Sequence, residues 1–227
     1  MGVVSIHNYP APEGKSGQQA ADGLAKLLEI LGAVKVGNFC VECETYTSVP
    51  TLGMTPARVL NVFHDSDHPA SCFALLDTGT CLVSSSSLDA LMLNMNSFYK
   101  MKNASKMESR GPKYQLGDFT CKIGSVTMGP SFRGILIEVE YGPCVVPFYC
   151  WDLMKEFMGG FMIPPRDPAT YLQGKMNDLF NPIDTIHQYN EHFNILRKQV
   201  ASSFTGSSSS SNPNQSSNMH QIPLQSK

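Results

Sequence analysis

Between Val34 and Tyr141 the apolar residues of this chain tend to recur at every second position, in short runs broken by glycine and proline. A β-strand turns successive side chains to opposite faces, so period two predicts strands with one side buried. The clearest run sets Phe39, Val41, Cys43 and Thr45 on one face against Cys40, Glu42, Glu44 and Tyr46 on the other. Further strands are expected at Val3–Ile6, Arg58–His64, Lys106–Arg110, Phe119–Ser125, Gly134–Tyr141 and Cys144–Phe148, with punctuation at Gly111-Pro112, Gly129-Pro130 and Gly142-Pro143. Ser71–Leu76 and Thr80–Val83 are expected to pair as a hairpin through Asp77-Thr78-Gly79, because Asp-x-Gly suits a tight turn. Such short spacings favour antiparallel pairing, and so many strands must close or be covered to protect their edges. The expected fold is α+β, a mostly antiparallel β-barrel of about eight strands with flanking helices.

Helical period interrupts the strands at four places. Ser16 is a predicted N-cap with Gln19 as its capping-box partner, Leu24, Leu27, Leu28 and Leu31 follow, and Gly32 stands where a left-handed terminator belongs. A second helix is expected on Leu88, Leu91, Met92, Met95 and Phe98, entered through the serine run ending at Ser87. A third carries Trp151, Met154, Phe157, Met158 and Phe161 and stops before Pro164-Pro165. The last opens at Asn181 with Pro182 in its first turn and Asp184 at its positive end, and its apolar stripe is Ile183, Ile186, Phe193, Leu196 and Val200. Residues 1–202 are expected to form one domain, and residues 203–227, a Ser/Asn/Gln-rich tail, lack the apolar mass to offset ordering entropy.

Composition narrows the function. Hydrophobic residues make up 42% of the chain and charged ones 16%, so the surface is thinly charged and part of it is expected to be covered by partners. A net charge of -2 disfavours broad electrostatic binding to nucleic acid or membrane. The 7 cysteines are an odd number without framework spacing, which fits reduced thiols better than a secreted disulfide scaffold. The N-terminus lacks a basic leader, and no stretch is long and apolar enough to cross a bilayer as a helix.

Several motifs touch on chemistry without completing it. Gly14-Lys15-Ser16 lacks the earlier glycine of a phosphate loop, and Ser16 is needed as a cap. Cys40 and Cys43 lie three apart on a strand, so they face opposite ways and cannot chelate one zinc without a bulge. Asp77-Thr78-Gly79 resembles an aspartic-protease tripeptide, but a single copy is better explained by turn chemistry. His64 and His68 have a helical metal spacing in a segment that reads as a loop, with no third ligand evident. Glu42/Glu44 and Glu138/Glu140 each share a strand face, as do Lys106, Glu108 and Arg110. An alternative reading is therefore a metal-dependent triphosphate hydrolase of the barrel-tunnel type, with those four glutamates holding a divalent cation. Against it, the chain has only five arginines to line a tunnel for a polyanion. Lys100, Lys102, Lys106, Arg110 and Lys113 form a basic run that could dock an acidic protein segment.

In order along the chain, Glu13-Gly14-Lys15-Ser16, Phe39–Tyr46, Ser71–Leu75, Lys106–Gly111, Ser125–Val146, Cys150-Trp151 and Arg197-Lys198-Gln199 resemble the Mediator subunit 20 family, also called the TRF-proximal proteins. The resemblance implies a nuclear, non-catalytic head-module subunit with an antiparallel barrel similar to that of Mediator subunit 18. It implies a heterodimer with subunit 18, contact with subunit 8 and other head subunits, and action on the RNA polymerase II machinery. No cofactor, metal, membrane or sequence-specific nucleic acid is expected. The 12 methionines suit an adaptable contact surface.

Overall fold

The computed structural model describes residues 2–50, 53, 56–102 and 106–205, the last six of them, 200–205, by backbone alone. The expected tail from 206 onward lies outside the described residues. In chain order the elements are β1 (Val3–Tyr9), α1 (Gly17–Ile30), β2 (Val34–Ser48), β3 (Val59–Asp65), β4 (Ser71–Leu76), β5 (Cys81–Ser85), α2 (Ser87–Asn94), β6 (Tyr99–Met101), β7 (Met107–Leu116), β8 (Phe119–Met128), β9 (Ser131–Tyr141), α3 (Pro147–Gly159), α4 (Thr170–Gln173) and α5 (Pro182–Thr205).

One 9-stranded sheet runs β1-β9-β8-β7-β2-β3-β4-β5, with β6 added beside β2. Every pairing is antiparallel. Its end strands, β1 and β5, do not pair with one another among the described residues, so the barrel expected from sequence is an open sheet. The seam is managed by a helix. α5 lies on the inner face, and its Ile186, Tyr189, Phe193 and Leu196 pack with Val4, Ile6, Phe39, Val41, Phe63, Phe73 and Leu136 from five strands. Gln188 accepts from the Ile6 N–H at 3.1 Å and donates to the Val4 carbonyl at 3.0 Å, and His192 Nε2 is 2.9 Å from the Ile6 carbonyl. Side chains of α5 thus satisfy the open edge of β1 in place of a closing strand.

The outer face is covered in two parts. α1 and α3 bury Leu24, Leu28, Trp151, Met154 and Met158 against Ile123, Ile135, Ile137 and Val139. At the other end, Met92 of α2 packs with Tyr46, Leu60, Val62, Cys72 and Ala74.

Local signals hold where the physics is local. Ser16 Oγ accepts from the Gln19 N–H at 3.2 Å while Gln19 Oε1 accepts from the Ser16 N–H at 2.9 Å, the reciprocal box read from sequence. Asn181 Oδ1 accepts from the Ile183 N–H at 2.9 Å and Asp184 Oδ2 from the Asn181 N–H at 2.8 Å. Gly79 closes the β4–β5 turn at φ 88, a left-handed value that only glycine adopts freely.

Three expectations need correction. Cys144–Phe148 is not a strand but a turn running into α3, because Pro147 has no N–H for a ladder and suits the first turn of a helix. Gly111-Pro112 does not end its strand. A Cβ on Gly111 would sit 1.9 Å from the Ile123 carbonyl oxygen, so glycine lets β7 and β8 cross closely. The β7–β8 register passes from Arg110↔Ser125 to Lys113↔Lys122, skipping the proline that cannot donate. Finally, α2 ends at Asn94, before Phe98, and Tyr99–Met101 forms the unforeseen strand β6 against Tyr46–Ser48.

His7, on the outer face of β1, is buried with its Nε2 2.7 Å from Ser5 Oγ and its ring 6.2 Å from that of Trp151. Burial, assisted by nearby His192, pushes its pKa from 6.5 down to about 4. Between those values the unfolded chain binds a proton that the folded one refuses, so stability falls as pH falls through that window. The expected slope from His7 approaches roughly 1.4 kcal/mol per pH unit. Urea midpoints measured from pH 7 down to 4.5 check it, and a His7→Asn variant with an unchanged slope would refute it.

Candidate functional site

Strand register places three charged residues in one row across the inner face: Glu138 opposes Lys122 on β8, and Lys122 opposes Lys113 on β7. Lys122 and Glu138 are each only 3% exposed. The β3–β4 turn brings Asp67 over the row. Lys122 Nζ is 2.7 Å from Glu138 Oε1 and 2.8 Å from Asp67 Oδ2, and Lys113 Nζ is 3.0 Å from that same Asp67 oxygen. From α5, Tyr189 Oη donates to Glu138 Oε2 at 2.6 Å. At the rim Asp65 pairs with His68 at 2.9 Å, and Glu140 accepts the Gly2 N–H at 2.8 Å. The lysines, the four acids and His68 line a cavity of about 280 Å³.

The electrostatics is self-contained. Burial works against the Lys122 ammonium, but Glu138 and Asp67 outweigh it and hold its pKa above the ordinary lysine range. Burial likewise opposes the Asp67 carboxylate, and the two lysines overcome it, so its pKa lies below the usual value. Burial and then the Glu138 charge keep the Tyr189 phenol protonated, which makes it a donor. Two ammonium groups thus meet two carboxylates, with Asp67 lying between the lysines where an anionic ligand would otherwise sit. A site that matches its own charges in this way is built to tie β7, β8, β9, the β3–β4 turn and α5 together.

The four glutamates of the hydrolase reading do not converge. Glu42 and Glu44 lie on the outer face, 3.1 and 3.3 Å from Lys106 Nζ, whereas Glu138 and Glu140 line the inner cavity. The basic run is divided too. Lys106 and Arg110 face outward, Arg110 Nε lying 2.6 Å from Glu108, while Lys113 turns inward to Asp67. Lys100 is exposed on β6 opposite Thr47, and Lys102 follows it, its N–H bonded to the Thr45 carbonyl. His64 points outward and His68 inward, so the pair cannot share an ion. Cys43 is in the inner core and Cys40 on the outer side, and Asp77 is fixed in its turn by Arg58 at 3.5 Å. Sequence reasoning missed Lys122, Asp67 and Tyr189. The available signal was parity, since Lys122 stands on the same strand face as Val126, a position that period two makes buried.

Comparison with known proteins places the chain among relatives. The family described as "TATA-binding related factor (TRF) of subunit 20 of Mediator complex" matches residues 1–194. Proteins named "Mediator of RNA polymerase II transcription subunit 20" from Rattus norvegicus and Homo sapiens are each 47% identical over 203 residues, covering 88% of this chain and 96% of theirs. The protein of that name from Aedes aegypti is 46% identical over 214 residues, with the same shares covered. Among solved structures, the PH1012 protein from Pyrococcus horikoshii OT3 superposes with a TM-score of 0.44 at 15% identity, over 74% of this chain and 94% of that one.

Proposed function

This chain belongs to the Mediator subunit 20 family, and on that premise we propose that it is a non-catalytic subunit of the Mediator head module, a nuclear coactivator of RNA polymerase II transcription that acts through protein–protein contacts. The observation that carries the reading is a sheet edge left unpaired among the described residues, beside exposed apolar side chains. Strand β5 ends the sheet, with Leu82 and Val83 56% and 54% exposed, and the next elements along the chain, α2 and β6, leave Leu91, Leu93 and Met101 exposed as well. An open edge flanked by apolar surface suits a partner that adds backbone bonds and covers the patch. The partner proposed is Mediator subunit 18, as a heterodimer, with subunit 8, other head subunits and the polymerase II machinery reached through that assembly. Lys100, within β6, and Lys102, which follows it, are proposed as its charged margin. The inner cavity supports a structural role, since its lysines and acids are already paired.

Co-expression with subunit 18 tests the proposal. The two chains are expected to co-purify at equal stoichiometry, and the complex to unfold at a higher temperature than this chain alone, because a partner that binds only the folded state stabilises it. Replacing Val83 and Leu93 together by Glu is expected to weaken the pair by about tenfold or more. Failure to co-purify would refute the proposal. Release of phosphate from tripolyphosphate with magnesium, lost in Glu138→Gln, would replace it with the hydrolase reading.

A further inference from the structure

We propose that His64, Cys72 and Asp89 form a zinc-binding site on the outer face of the sheet, one that clamps α2 to strands β3 and β4. His64 and Cys72 are direct cross-strand partners on β3 and β4, and Asp89 reaches them from the first turn of α2. Cys72 Sγ lies 3.5 Å from His64 Nε2, and the Asp89 oxygens lie 3.1 and 3.2 Å from that same nitrogen. All three donor atoms fall within 4.8 Å of one another. Tetrahedral zinc with ordinary bond lengths to nitrogen, sulfur and oxygen sets N and S about 3.5 Å apart, and N and O about 3.3 Å apart. The observed separations are close to the edges of that tetrahedron.

Protonation alone satisfies this cluster badly. Nε2 carries either a proton or a lone pair, so it cannot donate to Asp89 and accept from the Cys72 thiol at once. A divalent cation between the three resolves the conflict, accepting electron pairs from imidazole, thiolate and carboxylate while the thiol proton leaves to solvent. The nitrogen, sulfur and oxygen set suits zinc better than magnesium or calcium, which prefer oxygen alone.

A second cluster, Cys40, Glu42 and Glu108, is a useful contrast. There Lys106 and Arg110 already match the carboxylates. At the proposed site, by comparison, the Asp89 carboxylate pairs with the imidazole itself. Side-chain exposures of 33% for His64 and 51% for Asp89 leave an open side through which the ion enters and a water completes the fourth position. The mechanical need is evident in α2, where Met92 is the one buried residue and no side chain of Ser86 caps the N-terminus.

Cobalt(II) added to the chelator-treated full chain tests the proposal by absorption spectroscopy. The expected result is one equivalent bound per chain, with a thiolate-to-cobalt charge-transfer band and d–d bands of tetrahedral intensity, both bleached by zinc. Cys72→Ser should abolish the charge-transfer band. Asp89→Asn, an exposed change that leaves the fold intact, should weaken cobalt binding by about tenfold or more. Glu108→Gln should leave it unchanged. A folded chain with no thiolate band, a band that persists in Cys72→Ser, or an unchanged affinity in Asp89→Asn would each overturn the assignment.

Discussion

Replacing Lys122 by Met should lower folding stability by about 3–5 kcal/mol, the usual consequence of removing one partner from a buried ion pair. The lysine is 3% exposed and bridges Glu138 at 2.7 Å and Asp67 at 2.8 Å. Without it, Glu138, only 3% exposed, keeps the Tyr189 hydroxyl at 2.6 Å but loses its counter-charge in a largely desolvated setting. Most of the loss is therefore the penalty on the partner left behind. The double variant Lys122→Met with Glu138→Gln should accordingly recover part of the stability, because position 138 no longer carries a buried charge without its counter-ion. Urea unfolding of the parent, the single and the double variants measures all three. A single-variant loss below about 1 kcal/mol would mean that the network contributes little beyond a surface pair.

Gln188→Leu should act on the seam of the sheet with an effect of about 2–5 kcal/mol, as two buried backbone groups lose their partners together. The Gln188 side chain is fully buried and serves β1 as a substitute strand, taking the Ile6 N–H and supplying a donor to the Val4 carbonyl. Leucine fills similar space and can do neither. His192 still reaches the Ile6 carbonyl at 2.9 Å, so the Ile6 N–H and the Val4 carbonyl are the groups exposed by the change. Hydrogen exchange should therefore accelerate at the Ile6 amide well beyond the global shift, and the freed edge should promote self-association. If the Ile6 amide stays as protected as its neighbours on β9, the seam is closed by packing and not by this amide.

Both predictions concern features that the sequence left partly legible. The capping residues of α1 and α5 and the turn at Asp77-Thr78-Gly79 were readable because each is settled within a few residues of chain. Alternation also separated the two faces of β2 and β9 correctly, with Phe39, Val41 and Cys43 opposite Glu42 and Glu44, and with Glu138 and Glu140 sharing one face. Pro147 misled because an apolar run before a helix looks like a strand until its missing N–H is weighed.

What alternation cannot state is which face turns inward, since that depends on where every other strand lies. Lys122 could be read as a solvated residue or as half of a buried pair. Only register, which sets it opposite Glu138 and under Asp67, decides between them. The same holds for the seam: that the sheet stays open and takes α5 as its lining follows from an α5 glutamine meeting a strand more than 180 residues earlier, with a sequence separation of 182 at Ile6. By itself, then, the sequence determined the two faces of β2 and β9, the starts of α1 and α5 and the family. The tertiary structure decided which charges are buried and which edges remain free, because those depend on packing between segments distant in the chain.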